Sequence, residues 1–221
     1  MRRTLSWLQD HRFTAQLVAL TLLLLLYPFF ERDRGGRFLL HGFSLLLVAF
    51  AVNAVSADRR QLAAGLALAA PEVVVRLAEV GAGFDAPVLT AATSALFLGY
   101  VTVRVLRAVL ASEEVTWEAV AGALCVYLLF GLVWASFYSL IELTSPGSFR
   151  LTDAARLSSE SLWGELVYFS YVTQTTLGYG DVVPVSPPAR SFATVQALLA
   201  QIYLATLVAR LVAVAVARRR A

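Results

Sequence analysis

A chain of 221 residues that is 59% apolar, with a mean hydropathy of +0.71, is too apolar for a soluble domain and fits a protein that crosses a membrane several times. Its net charge of +3 rests on eighteen basic residues, all arginine and scattered between apolar runs, a pattern that speaks against nucleic-acid binding. The single cysteine, Cys125, lies inside an apolar run, which excludes a disulfide framework or cysteine metal site within one chain and leaves a small buried hydrophobe.

Residues 1–13 form a short basic, amphipathic lead-in, and no small-residue cleavage site closes the apolar run behind it, so no cleavable signal peptide is expected. A first span covers about 14–30, followed by the charged turn Glu31–Arg37. Further spans fall at about 38–56, 61–80 and 87–110, the last entered through Pro87. The polar segment 111–118 reads as an interfacial linker helix, and a fifth span runs over about 117–141. Beyond a polar stretch, 142–161, the apolar run Leu162–Val172 is only eleven residues long. At 1.5 Å per residue it covers about half of a ~30 Å hydrocarbon core, so it reads as a re-entrant half-helix, with Ser158, Ser159 or Ser161 as its N-cap. Ser186-Pro187-Pro188 opens a sixth span that reaches about 217. The expected fold is an all-α membrane protein with six transmembrane helices and a re-entrant helix and loop between the fifth and sixth. With both termini cytoplasmic, inner segments hold ten arginines and outer segments six, which favours that orientation and puts 142–161 outside.

Between the half-helix and the last span stands Thr173-Gln174-Thr175-Thr176-Leu177-Gly178-Tyr179-Gly180-Asp181. Backbone carbonyls line up on one side only if alternate residues adopt mirror-image φ/ψ, which glycine does without steric cost. Such a row can replace the water shell of a dehydrated cation, with the Thr176 hydroxyl closing the inner end. TTLGYGD resembles the selectivity filter of the tetrameric potassium channels, here in a compact, prokaryotic six-span form. The resemblance implies a homotetramer in a prokaryotic plasma membrane, with K+ as permeant ion and no other cofactor. It assigns the ion sites to Thr176, Leu177, Gly178 and Tyr179, with Gly180 completing the filter. Thr175, Asp181, Trp163 and Tyr168 become filter support or outer mouth, and Trp163, Tyr168 and Phe169 an aromatic cuff. Leu177 replaces the family's usual valine. Val172 stands where some members carry a glutamate that pairs with the aspartate, so that pair is absent.

By the same resemblance, residues 1–110 form a voltage-sensor-like four-helix domain, 111–118 the linker and 117–221 the pore domain. A voltage sensor needs several arginines at every third position, because one charge is worth only ~2.3 kcal/mol per 100 mV. The fourth span offers Arg104 and Arg107 near its inner end, so at most weak voltage sensing is expected. In the third span Glu72, Arg76 and Glu79 share one helix face, and Arg76 can pair with either carboxylate. The last span carries Gln196, Gln201, Tyr203 and Arg210, has no hinge glycine, and places Ala200 where many relatives have one. Arg210 is expected to snorkel at the inner interface.

The reading is therefore a passive potassium channel and not an enzyme. Its partners are the lipid bilayer and three identical subunits, with regulation by a separate protein left open. Beyond the last span stand only Ala217-Arg218-Arg219-Arg220-Ala221, so no attached calcium- or nucleotide-binding module is expected. The alternatives are a weakly selective cation channel or a voltage-gated potassium channel with a minimal sensor. A secondary potassium transporter would need four filter units in one longer chain. His11 and His41 lie far from any serine motif, and no H-E-x-x-H or G-x-S-x-G is present, which argues against a membrane protease or esterase.

Overall fold

The computed structural model describes residues 11–30, 59–82, 86–112, 114, 116–151 and 159–220, so the span expected at 38–56 lies outside the described residues. The described chain is all-α apart from one two-residue ribbon. Its elements are α1 (Arg12–Phe30), α2 (Arg59–Ala82), α3 (Pro87–Ala111), α4 (Trp117–Thr144), β1 (Phe149–Arg150), α5 (Ser159–Gln174), β2 (Val183–Pro184) and α6 (Pro187–Arg220).

Three helices among the described residues, Pro87–Ala111, Trp117–Thr144 and Pro187–Arg210, are long and apolar enough to cross a membrane. The apolar part of α1, Arg12–Tyr27, is shorter. Helix α2 carries Arg59, Arg60, Glu72, Arg76 and Glu79 across its length.

Helices α3 and α4 form the central pair. Residues Ala91, Ser94, Ala95, Phe97, Val101, Thr102, Val105 and Val109 recur every three or four positions as the buried stripe of α3. Of these, Phe97, Val101, Val105 and Val109 meet Ala121, Cys125, Val126, Leu129 and Leu132 of α4 in one core. Pro87 opens α3 at a position where its missing N–H removes no helical bond. The joint between α3 and α4 is not the helix expected from 111–118. Its described residues Ser112, Glu114 and Thr116 are non-helical, and Trp117 and Glu118 already belong to α4. The cause is local. The Ser112 hydroxyl donates to Glu114 O at 2.8 Å, and Thr116 Oγ1 accepts Ala119 N–H at 3.2 Å as the cap of α4.

Glu118, in the first turn of α4, also receives the start of α1. Its Oε2 accepts Phe13 N–H at 3.0 Å and its Oε1 accepts the Thr14 hydroxyl, supplying partners that a helix N-terminus lacks internally. The fit there is close: a Cβ on Gly122 would stand 2.8 Å from Val109 Cγ2 and 3.2 Å from Phe13 Cδ2. Helices α1, α3 and α4 thus converge at one point.

Helix α2 attaches to α3 through charge. Glu72, buried at 3% exposure, accepts Arg76 Nε at 2.6 Å, Thr93 Oγ1 at 2.8 Å and Ser94 Oγ at 2.9 Å. Arg76 also donates to Ser94 Oγ at 3.3 Å. The pairing of Arg76 with Glu72 matches the spacing argument, and two α3 hydroxyls complete the carboxylate's shell.

Helix α6 is capped by Ser186, whose Oγ accepts Ala189 N–H at 3.3 Å, with Pro187 and Pro188 in the first turn. Its buried stripe Ala189, Ala193, Gln196 and Ala200 faces α4 and α5, and only 11% of its membrane-length window is covered within one chain. Arg210, expected to snorkel, has its partners within the chain. It donates to the carbonyls of Val109 (2.8 Å), Leu110 (2.9 Å) and Ser112 (2.7 Å), closing the C-terminus of α3.

Candidate ion-conduction site

Helix α5 is longer than the apolar run alone suggests. It spans sixteen residues, so Ser161 lies inside it, and it continues through Thr173 and Gln174. Gln174 reaches across to α4, donating to Tyr127 O at 2.8 Å. The contact between α5 and α4 depends on one missing side chain. A Cβ on Gly131 would overlap the Tyr171 ring and lie 2.7 Å from its Cζ. That ring is tethered by its hydroxyl to Leu128 O at 2.6 Å, and Ser170 Oγ donates to Gly131 O at 2.7 Å. Gly131→Ala should therefore cost about 1–3 kcal/mol through overpacking, read as a lower thermal unfolding midpoint in detergent. An unchanged midpoint would show that α5 is seated elsewhere.

After Gln174 the helix winds out in three bonds. Thr175 N–H reaches Tyr171 O at 2.9 Å, Thr176 N–H reaches Thr173 O at 3.1 Å, and Leu177 N–H reaches Val172 O at 3.0 Å. Every second residue then takes positive φ: Thr176 at 61°, Gly178 at 60° and Gly180 at 80°. This alternation turns successive carbonyls toward one side. The glycines make it at no steric cost. Thr176 does not, since a β-branched residue in the left-handed region stores about 1–3 kcal/mol that its surroundings must sustain. That strain was not foreseen from the sequence, where only the glycines signal positive φ.

All of Thr175–Asp181 is exposed in the single chain, with Leu177 at 57% and Tyr179 at 68%. The Asp181 end of this loop is pinned from two sides. Tyr168 Oη donates to Asp181 Oδ2 at 2.6 Å, and Asp181 Oδ1 accepts its neighbour Val182 N–H at 2.9 Å. Just beyond, β2 pairs antiparallel with β1, Phe149 opposite Pro184 and Arg150 opposite Val183. Val185 N–H extends the ribbon to Ser148 O at 2.8 Å, while Glu142 closes the preceding turn by accepting Gly147 and Phe149 N–H.

The Tyr168 hydrogen bond holds the Asp181 carboxyl below its ordinary 3.8. A depressed folded value means that this contact stabilises the loop above pH 3.8 and is lost as pH falls through the lowered value. In Tyr168→Phe the Asp181 titration, followed by infrared spectroscopy, should move up toward the ordinary value. An unmoved midpoint would show that the hydroxyl does not hold the carboxylate.

The other nominated residues separate. Phe169 joins Tyr138 and Phe149 in a triangle of edge-on rings with centroids 5.1–5.4 Å apart. Trp163 has its ring contact with Tyr27 of α1 at 5.1 Å, and Tyr179 has no ring contact among the described residues. The aromatic packing beside α5 comes largely from residues not nominated from the sequence: Trp134, Tyr138, Phe149 and Phe192. Arg107 is exposed, whereas Arg104 is half-buried, with its Nε shielded and without a hydrogen-bond partner among the described residues. Near the C-terminal end of α5, Gln196 and Gln201 of α6 both reach that helix. The sequence marks them only as polar residues in an apolar span.

Among the described residues no group of histidine, cysteine and carboxylate side chains could hold a metal ion, so an ion at this site would have to be met by backbone and hydroxyl oxygens. No curated protein and no solved structure matches the chain. A family model described as "Ion channel" matches residues 122–217, just under half of the chain, from the second turn of α4 through α5 and the glycine loop into α6. That match, together with three helices of membrane-crossing length, supports a membrane protein with an ion channel domain at residues 122–217.

Proposed function

We propose that four copies of this chain form a passive, potassium-selective pore, with Thr176, Leu177, Gly178 and Tyr179 supplying the ion-coordinating oxygens. The observation that carries the reading is the alternation of positive φ at Thr176, Gly178 and Gly180 in a loop at the C-terminal end of α5. Helix carbonyl ends favour a cation, and α5 delivers its end directly to that loop. One chain provides one strand of oxygens and leaves Leu177 and Tyr179 bare, whereas a closed ring of identical strands surrounds an ion and covers both. Non-helical backbone at membrane depth is tolerated only where protein buries it or a water-filled path adjoins it, and a central pore meets that condition. In this reading residues 117–221 are the pore domain, residues 1–110 a surrounding helical domain, and Asp181 lies at the outer mouth, where four carboxylates raise the local cation concentration. Arg104 and Arg107 alone give little voltage dependence.

Vesicles loaded with potassium and diluted into sodium buffer test this. A selective pore polarises them, as a voltage-sensitive dye reports, and the purified complex has the mass of four chains. Vesicles that stay unpolarised while leaking both ions would point to a weakly selective cation pore.

A further inference from the structure

Behind the inner end of the glycine loop, three helices meet at one buried amide. Tyr138 of α4, Ser170 and Gln174 of α5, and Gln196 of α6 are all fully buried, at 0% exposure. The Tyr138 hydroxyl donates to Gln196 Oε1 at 2.5 Å. Gln196 Nε2 donates to Ser170 Oγ at 2.8 Å, to Ser170 O at 3.1 Å and to Gln174 Oε1 at 3.4 Å. The donor on α4 and the acceptors on α5 fix which way the amide points, so neither a hydroxyl nor a carboxylate could serve every partner at once. Gln174 is held further by its own bond to Tyr127 O, and its carbonyl accepts Tyr127 Oη and Gln201 Nε2, each at 3.4 Å. That carbonyl stands two residues before Thr176, the strained residue at which the alternating stretch begins.

A helix C-terminus ordinarily leaves its last carbonyls without partners inside the helix. Here the last turn of α5 is held from α4 and α6, with Gln196 the α6 side chain that bonds to both α4, through Tyr138, and α5, through Ser170 and Gln174. We propose that Gln196 is a positioning residue for ion selectivity: acting through Ser170 and Gln174, it fixes the last turn of α5 and thereby the Thr176 end of the filter. This rests on the potassium-pore reading above. Coordination geometry at an ion site is sensitive to small displacements, whereas membrane insertion and helix packing are not, so the two roles of this network are separable.

Gln196→Met keeps the length and approximate volume of the side chain but removes both its donor and its acceptor. Tyr138→Phe removes one hydroxyl and preserves ring packing. Each variant and the wild type are reconstituted in planar bilayers with potassium on one side and sodium on the other, and the reversal potential is measured beside the thermal unfolding midpoint of the purified complex. The potassium-to-sodium permeability ratio should fall about tenfold in Gln196→Met, which loses every bond of the amide, and about threefold in Tyr138→Phe, which loses one. A merely structural role lowers the unfolding midpoint and the number of active pores while leaving the reversal potential unchanged. A wild-type reversal potential in every variant that conducts overturns the inference. Should Gln196→Met fail to assemble, Tyr138→Phe alone decides, and an unchanged ratio there overturns it equally. Wild-type protein that itself shows no preference for potassium would sink the pore reading instead, which keeps the two failures distinct.

Discussion

Gly178→Ala should abolish ion flux while leaving the protein in the membrane at its normal level. Gly178 has a φ of 60°, and a Cβ placed on it would meet nothing within 4 Å. The effect therefore arises from backbone conformation and not from a clash. An L-residue in the left-handed region costs about 1–2 kcal/mol, and a symmetric complex of four chains incurs that cost four times around one ion path. Thr176 and Gly180 take the same sign of φ on either side, so relaxing Gly178 breaks the alternation at its middle and turns a carbonyl away. Helix packing is untouched, because the loop lies outside both hydrophobic clusters. The check is flux through reconstituted vesicles alongside membrane-fraction abundance. Undiminished flux would refute the assignment of this loop as the ion path.

Arg76→Leu should destabilise the protein by about 3–5 kcal/mol, because it leaves the buried Glu72 carboxylate without its countercharge. Thr93 and Ser94 still donate to that carboxylate, yet neutral hydroxyls cannot offset a full charge removed from water. The paired change Glu72→Met with Arg76→Leu should recover most of the loss, since well-packed apolar residues replace a buried ion pair at little cost. Thermal unfolding of the three proteins in one detergent provides the comparison. A double variant no more stable than Arg76→Leu alone would mean that the pair contributes something packing cannot replace. The pair also bears on how α2 can lie among apolar helices. Its charges interrupt the apolar pattern, but a neutral, hydrogen-bonded Glu72–Arg76 unit set against α3 presents far less charge than the sequence suggests.

Features repeated along the chain or dictated by backbone chemistry were legible in the sequence. The spans of α3, α4 and α6 follow from long apolar runs, and their starts from Pro87, Trp117 and Ser186-Pro187. Gly178 and Gly180 announced positive φ because few other residues adopt it cheaply. What escaped depended on contacts between distant segments. A two-residue strand such as Phe149–Arg150 is too short to show alternation, and its partner Val183–Pro184 lies more than thirty residues away. The extra turns of α5 contain Thr173 and Gln174, polar residues that read as loop until Tyr127 and Gln196 are seen to receive the glutamine. Arg210 in an apolar helix suggested snorkelling; its bonds to the carbonyls of Val109, Leu110 and Ser112 come from a segment about a hundred residues away, which no local pattern reveals. The linker failed in the opposite sense. Its length and polarity suggested a short helix, but the Ser112 hydroxyl bonds to Glu114 O, and Thr116 accepts Ala119 N–H as the cap of α4.

The reversal potential of the wild-type protein in a planar bilayer tests the central claim most directly. With potassium chloride on one side and sodium chloride at equal concentration on the other, currents should reverse far from zero, at the polarity set by the potassium gradient. The displacement should persist when the side holding potassium is exchanged, with its sign inverted. Reversal at zero in both arrangements would contradict a potassium-selective path through Thr176–Tyr179.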